Sequence, residues 1–243
     1  MDGLRQLSLS DLDDGLALST ASGWNQTAAD WHRLLTLPTI TAWGIEQEGH
    51  IVATAAAIRY GSELAWIGMV LTAEPHRGRG LASKLMAAAL DHLTDCALIK
   101  LDATAQGAPL YRRFGFADEG PIVRYIGRPP GHPVHLGGTP GPDAFEADRS
   151  ALLSTFDKPA CLEDGSFAYT RPGRVLPFFG PCVGQGEPLL GWFAAQQPGE
   201  FLLDRTGEPP EGFRAARQLV RMYRGKLKAT HERQYSTAGF EFG

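Results

Sequence analysis

The sequence predicts a mixed α/β fold in two successive units. Strand-like runs alternate with amphipathic helical stretches in the first half, a proline- and glycine-rich segment interrupts the chain, and a second mixed pattern follows. The interruption, Gly127 to Pro142, holds five glycines and five prolines in 16 residues. Proline removes a backbone donor and glycine weakens helix and strand alike. The segment therefore reads as a linker over 129–142, between units at 1–128 and 143–243. A long surface loop inside one domain is the other reading.

Leu4 to Leu9 alternates like a short strand. "SDLDDGLALSTAS" reads as a helix with Ser10 as its N-cap, and "TAADWHRLL" as another, capped by Thr27. "TAWGIEQEGHIVATAAAIRY" is a hairpin turning at Glu48-Gly49. "ELAWIGMVL" is an apolar strand, buried on both faces. Leu81, Leu85, Ala89 and Leu93 form one helical stripe. "ALIKLDAT" is a strand, "GAPLYRRFGF" a short helix ended by Gly115, and "PIVRYIG" a strand. In the second unit "DAFEADRSALLSTF" and "GEPLLGWFAAQ" read as helices. "SFAYTRPGRVLPFFGPC" reads as two strands around Pro172-Gly173, "EFLLD" as a strand and "PEGFRAARQLV" as a helix. Arg214 to Arg233 carries seven Lys/Arg against one acid, a solvated face or an anion-facing one.

Composition narrows the function. The chain has 243 residues, 43% hydrophobic and 21% charged, with net charge -4, so no bulk basic field invites nucleic acid. Three widely spaced cysteines, Cys96, Cys161 and Cys182, suit neither a disulfide framework nor a zinc site, and no metal is expected. A reducing cytoplasm fits that usage. The first residues carry acids where a signal peptide has basic ones, and no run of about 18 apolar residues predicts a membrane span.

His76-Arg77-Gly78-Arg79-Gly80-Leu81-Ala82-Ser83-Lys84 places two glycines and two arginines at a predicted helix start. Unpaired amides and partial positive charge make such a start an anion site. A Walker loop is excluded, because no glycine precedes the lysine. The dinucleotide fingerprint is closer: Gly78 and Gly80 fit, Ser83 replaces the third glycine, and Asp102 follows 22 residues past Gly80. Against it, "TAEPHR" separates the strand from the glycines. A glycine turn without a ligand is the plain alternative.

A third reading uses more of the chain. Strand, polar turn, Arg77-Gly78-Arg79-Gly80-Leu81-Ala82, amphipathic helix, strand, then Leu110-Tyr111-Arg112-Arg113-Phe114-Gly115-Phe116: this order resembles the GNAT acyltransferase superfamily over about residues 1–130. The loop matches that family's arginine/glutamine-x-x-glycine-x-glycine/alanine pattern, with alanine at the last position, and the later run its leucine-tyrosine-x-x-x-glycine-phenylalanine signature. Pro75 lies one place later than the family's usual proline. "GWNQTAADW", "WIGMVL" and "LDAT" resemble a bacterial subgroup with a second, shortened GNAT-like unit, which here lacks its own arginine-glycine cradle.

The resemblance implies a mixed, mostly antiparallel sheet flanked by helices, with acetyl-CoA as co-substrate and no metal. Its pyrophosphate would rest on Arg77, Gly78, Arg79, Gly80, Leu81 and Ala82, and its pantetheine beside Met69, Val70 and Leu71. Tyr111 would be the general acid, a phenol near the thiol's pKa; packing and anchoring are its other reading. Asp102 is a candidate base or a strand-end partner. The strand "AWIGMVL" offers no carboxylate, where some family members keep one. Trp24, Asn25, Gln26 and Trp31 would line the site of a small-molecule amine, or the tryptophans are core. The implied activity is direct N-acetyl transfer in a ternary complex, by a monomer or homodimer. A coenzyme A sensor without turnover and a dinucleotide oxidoreductase are the competing classes.

Overall fold

The computed structural model describes residues 3–143, 147–226 and 233–243. In chain order the strands and helices are β1 (Gly3–Gln6), α1 (Leu12–Ala21), α2 (Ala28–Thr36), β2 (Ile40–Gln47), β3 (His50–Tyr60), β4 (Leu64–Thr72), α3 (Leu81–His92), β5 (Leu98–Ala103), α4 (Ala108–Arg113) and β6 (Ala117–Gly127). There follow α5 (Ser150–Leu153), β7 (Ala160–Cys161), β8 (Phe167–Arg171), β9 (Phe178–Val183), α6 (Gly186–Gln196), β10 (Phe201–Arg205), β11 (Phe213–Gly225) and β12 (Gln234–Ser236).

One mixed, mostly antiparallel sheet joins them in the order β1-β2-β3-β4-β5-β11-β6-β10-β9-β8-β7, with β12 beside β9. The apolar stripe of α3 (Leu81, Leu85, Ala89) packs on one face with Ile67, Ile99 and Leu101. On the other face Trp31 and Leu34 of α2 join Trp66, Phe156 and Phe242. Phe179, Phe193 and Phe201 centre the core of the second half. Residues 128–132 run over α6, where Arg128 Nη2 donates to the Ala194 carbonyl at 2.9 Å and His132 packs onto Gly191, and further on the Gly137 and Gly141 amides donate to the carbonyls of Cys161 and Gly165.

The hairpin turns at Glu48 and Gly49, both with positive φ, and Thr27 caps α2 through a reciprocal pair with Asp30. Two expectations change. Ser10 caps nothing: Ser8 and Asp11 box a short 3-10 turn at Leu9–Asp11, and α1 begins after Asp11. "PEGFRAARQLV" is strand and not helix, because β11 hydrogen-bonds β5 on one side and β6 on the other. Alanine, arginine and glutamine favour a helix only where no such double ladder competes. Of "DAFEADRSALLSTF", only Ser150–Leu153 is helical, and residues 144–146 lie outside the described residues.

β11 enters between β5 and β6, so the two halves exchange strands. The β6–β11 ladder pairs Ile122 with Leu219, Arg124 with Arg217 and Gly120 with Arg221. The last two pairs interchange under a two-fold through the first. The flanking ladders repeat the relation, with Arg221 opposite Asp102 and Arg124 opposite Asp204. Both pairs are buried and bidentate: Arg221–Asp102 at 2.9 and 3.0 Å, Arg124–Asp204 at 2.7 and 2.6 Å.

Candidate active site

β4 and β5 run parallel and pair only over Leu64–Trp66 with Leu98–Lys100. Beyond that the strands part. A bulge helps: the β3 register shifts between Thr54 and Ala56, and Met69 takes φ 53. Such a bulge bends its strand and raises the local twist. Thr54 Oγ1 donates to the Met69 carbonyl at 2.8 Å and holds the bend. The β4 edge from Ile67 onward therefore has no strand partner among the described residues.

The opening is a cavity of about 480 Å³. Met69, Val70 and Leu71 form one wall, and Leu101, Asp102, Leu110 and Tyr111 line it from the β5 side. Arg77, Gly78, Gly80, Leu81 and Ala82 close one end, where α3 begins. Gly78 and Gly80 have φ 76 and 75, and a Cβ on either would meet only open space. Glycine is needed there for the turn, and it leaves the amides uncovered. The first helical hydrogen bond runs from Lys84 N to the Gly80 carbonyl, so the earlier amides are free of the helix. No acid stands in this first turn.

Tyr111 is buried beside this cavity, its ring edge-on to Phe116 at 6.3 Å. Burial pushes its phenol up to about 12, so it keeps its proton at neutral pH. Asp102 also reaches the cavity, but both its oxygens accept from Arg221. Burial raises its pKa and Arg221 opposes the rise. A carboxylate so engaged braces β5 against β11, each oxygen already accepting one hydrogen bond.

The early aromatic run divides. Trp24 and Gln26 line the cavity. Asn25 does not: its amide accepts from Val175 N (2.8 Å) and donates to the Leu176 carbonyl (2.9 Å), clamping the first half to the second. Trp31 is core, stacked on Gly15, with Nε1 donating to Ser19 Oγ at 2.9 Å. Arg79 is exposed at the turn and is not among the lining residues.

Residues 12–116 match the family model "Acetyltransferase (GNAT) family". Residues 12–116 form a GNAT domain. Solved structures support the fold over nearly the whole chain. A Pyrococcus horikoshii protein described as "A Putative Acetyltransferase" superposes with TM-score 0.79 at 19% identity, covering 99% of this chain and 95% of its own. A GCN5-related N-acetyltransferase of Sphaerobacter thermophilus gives TM-score 0.60 at 16% identity, over 91% and 94%. No curated protein matches the chain. The GNAT domain begins in α1 and ends at Phe116, so it contains the open β4 edge, the glycine turn and Tyr111.

The rest of the cavity wall lies outside the GNAT match. Arg124, Arg217, Leu219, Phe240 and Glu241 come from β6, β11 and the final segment. Sequence reading missed Arg217 because its segment reads as a helix, and Glu241 because no local pattern marks it. No helix among the described residues is long and apolar enough to cross a membrane.

Proposed function

We propose that the chain comprises two successive GNAT-like units, 1–128 and 143–243 about the 129–142 linker, and is an N-acetyltransferase. The first unit would move the acetyl group of acetyl-CoA onto a small-molecule amine by direct attack in a ternary complex. One observation carries this reading: an unpaired strand edge, a glycine-opened helix start and a protonated phenol share one cavity.

The residues present fit the co-substrate. The open amides from Gly78 to Ala82 suit a pyrophosphate, with Arg77 adding charge. The free edge at Met69–Leu71 suits an extended amide-bearing arm, which it would receive as an added strand. Bound there, acetyl-CoA supplies an acyl thioester. Backbone N–H groups of the bent strand stabilise charge on an acyl oxygen, the contribution that dominates most acyl transfer. Tyr111 holds a proton for the departing sulfur.

Thermal melting with separate ligands tests the reading. Acetyl-CoA and coenzyme A should raise the midpoint, by about 2.7 kcal/mol of stabilisation at a hundred times the dissociation constant. NAD and NADP should not. A shift with the coenzyme A species alone leads to an amine panel with thiol release as the readout of turnover, and a shift with the dinucleotides alone overturns the proposal.

A further inference from the structure

A carboxylate from the far end of the chain enters the GNAT cavity. Residues 239–243 lie across β3 and β4, where Trp66 Nε1 donates to the Phe240 carbonyl (3.1 Å) and Tyr60 Oη to the Phe242 carbonyl (2.6 Å). The Glu241 carbonyl passes so close to Gly68 that a Cβ there would come within 2.7 Å of it. Glu241 therefore stands beside the start of the open β4 edge. Its Oε1 accepts from Arg171 Nη2 at 2.6 Å. Its Oε2 is buried and has no hydrogen-bond partner among the described residues. Gln26 Oε1, on the same cavity, is in the same condition. Buried acceptors without donors are costly, and both residues line this cavity, so a ligand's N–H groups that reach them would supply the missing donors.

A cation is left over as well. Arg214 pairs with Glu200, Arg221 with Asp102 and Arg124 with Asp204. Arg217 lines the cavity with its guanidinium 5.7 Å from the Trp24 ring, and no acid pairs with it among the described residues. Burial, then the like charge of Arg124, push its pKa down. A half-buried cation in this state gains most from an anion that enters with a ligand.

Building on the acetyltransferase reading, we propose that this end of the cavity binds a small amine bearing its own carboxylate. Arg217 receives the carboxylate, and Gln26 Oε1 and Glu241 Oε2 receive the amine. Glu241 takes the proton released as the nitrogen bonds the acetyl carbon. The carbon–sulfur bond breaks with its electron pair on sulfur, and Tyr111 protonates the sulfur. Water then removes the proton from Glu241 and returns one to Tyr111.

The test is calorimetric, on the full chain saturated with coenzyme A. Leucine and isopentylamine, phenylalanine and phenethylamine, and lysine and cadaverine are titrated as pairs. In at least one pair the carboxylate-bearing member should bind about tenfold tighter or better, and Arg217→Met should erase that ratio. Glu241→Gln should lower kcat about tenfold or more at unchanged KM for acetyl-CoA. Equal binding within every pair, or binding by no member, overturns the inference. Failure of the acetyltransferase reading would read out separately, as no coenzyme A binding in the first titration.

Discussion

Each half contains a strand that diverges from its neighbour, and of the two openings only the first is a cavity. β4 parts from β5 after three ladder positions, and β9 meets β10 at one, Phe178 with Leu202. Each diverging strand is followed by a G-x-G sequence at a helix start, Gly78-Arg79-Gly80 just before α3 and Gly184-Gln185-Gly186 running into α6 at Gly186. The first cleft is a cavity. The second is filled: β12 pairs along β9, and the Tyr235 ring sits where a Cβ on Gly186 would be. Tyr235 Oη donates to Glu187 at 2.6 Å, an acid in the first turn of α6. Its charge opposes an anion at that helix start. Past β12 the chain continues to β4 and delivers Glu241. One segment closes the second cleft and walls the first. A strand and a ring fill the second opening while the surrounding strands stay in place.

The largest effect should come from the exchanged strands. Asp102 and Asp204 each neutralise a buried arginine from the other half. Asp204→Asn leaves Arg124 uncompensated and should cost about 3 kcal/mol or more. Asp102→Asn should match it. Urea denaturation should show one cooperative transition at a lower midpoint in both variants. Two separate transitions would mean that the halves do not share one folding unit.

Next comes chemistry confined to the open cleft. Tyr111→Phe should lower kcat about a hundredfold, in the usual range for a lost general acid, with acetyl-CoA affinity unchanged. Burial raises this phenol from about 10 to about 12. The acid form therefore persists through pH 10, and the alkaline fall of kcat should lie above it. Unchanged turnover in the variant would remove Tyr111 from the mechanism.

The glycine turns should give a smaller, opposite pair of effects. Gly80→Ala puts a side chain at φ 75 in open space, a strain of about 1–2 kcal/mol with weaker acetyl-CoA binding. Gly186→Ala drives a methyl into the Tyr235 ring, so stability should fall with acetyl-CoA affinity intact. Calorimetry and melting on the two variants separate the roles.

Much of the first half is legible because its signals are local. The Thr27 cap, the Glu48-Gly49 turn, the α3 stripe and the glycines of the anion turn each lie within a few residues of what they specify. The site's other wall is assembled from contacts that no local pattern marks. Arg217 faces the cavity only because β11 crosses into the first half, and Glu241 only because Trp66, Tyr60 and Arg171 hold the final segment. Trp31 and Asn25 look like ligand-binding residues beside Trp24 and Gln26. Helix phase turns Trp31 into the core, and a distant backbone at Leu176 claims Asn25. β11 misleads by composition, since its pairing partners come from both halves.

Titration of the full chain with acetyl-CoA tests the central claim, one open cleft and one closed. The account predicts one molecule bound per chain, weakened by Gly80→Ala and untouched by Gly186→Ala. Two molecules per chain, or one that Gly186→Ala weakens and Gly80→Ala does not, would contradict it.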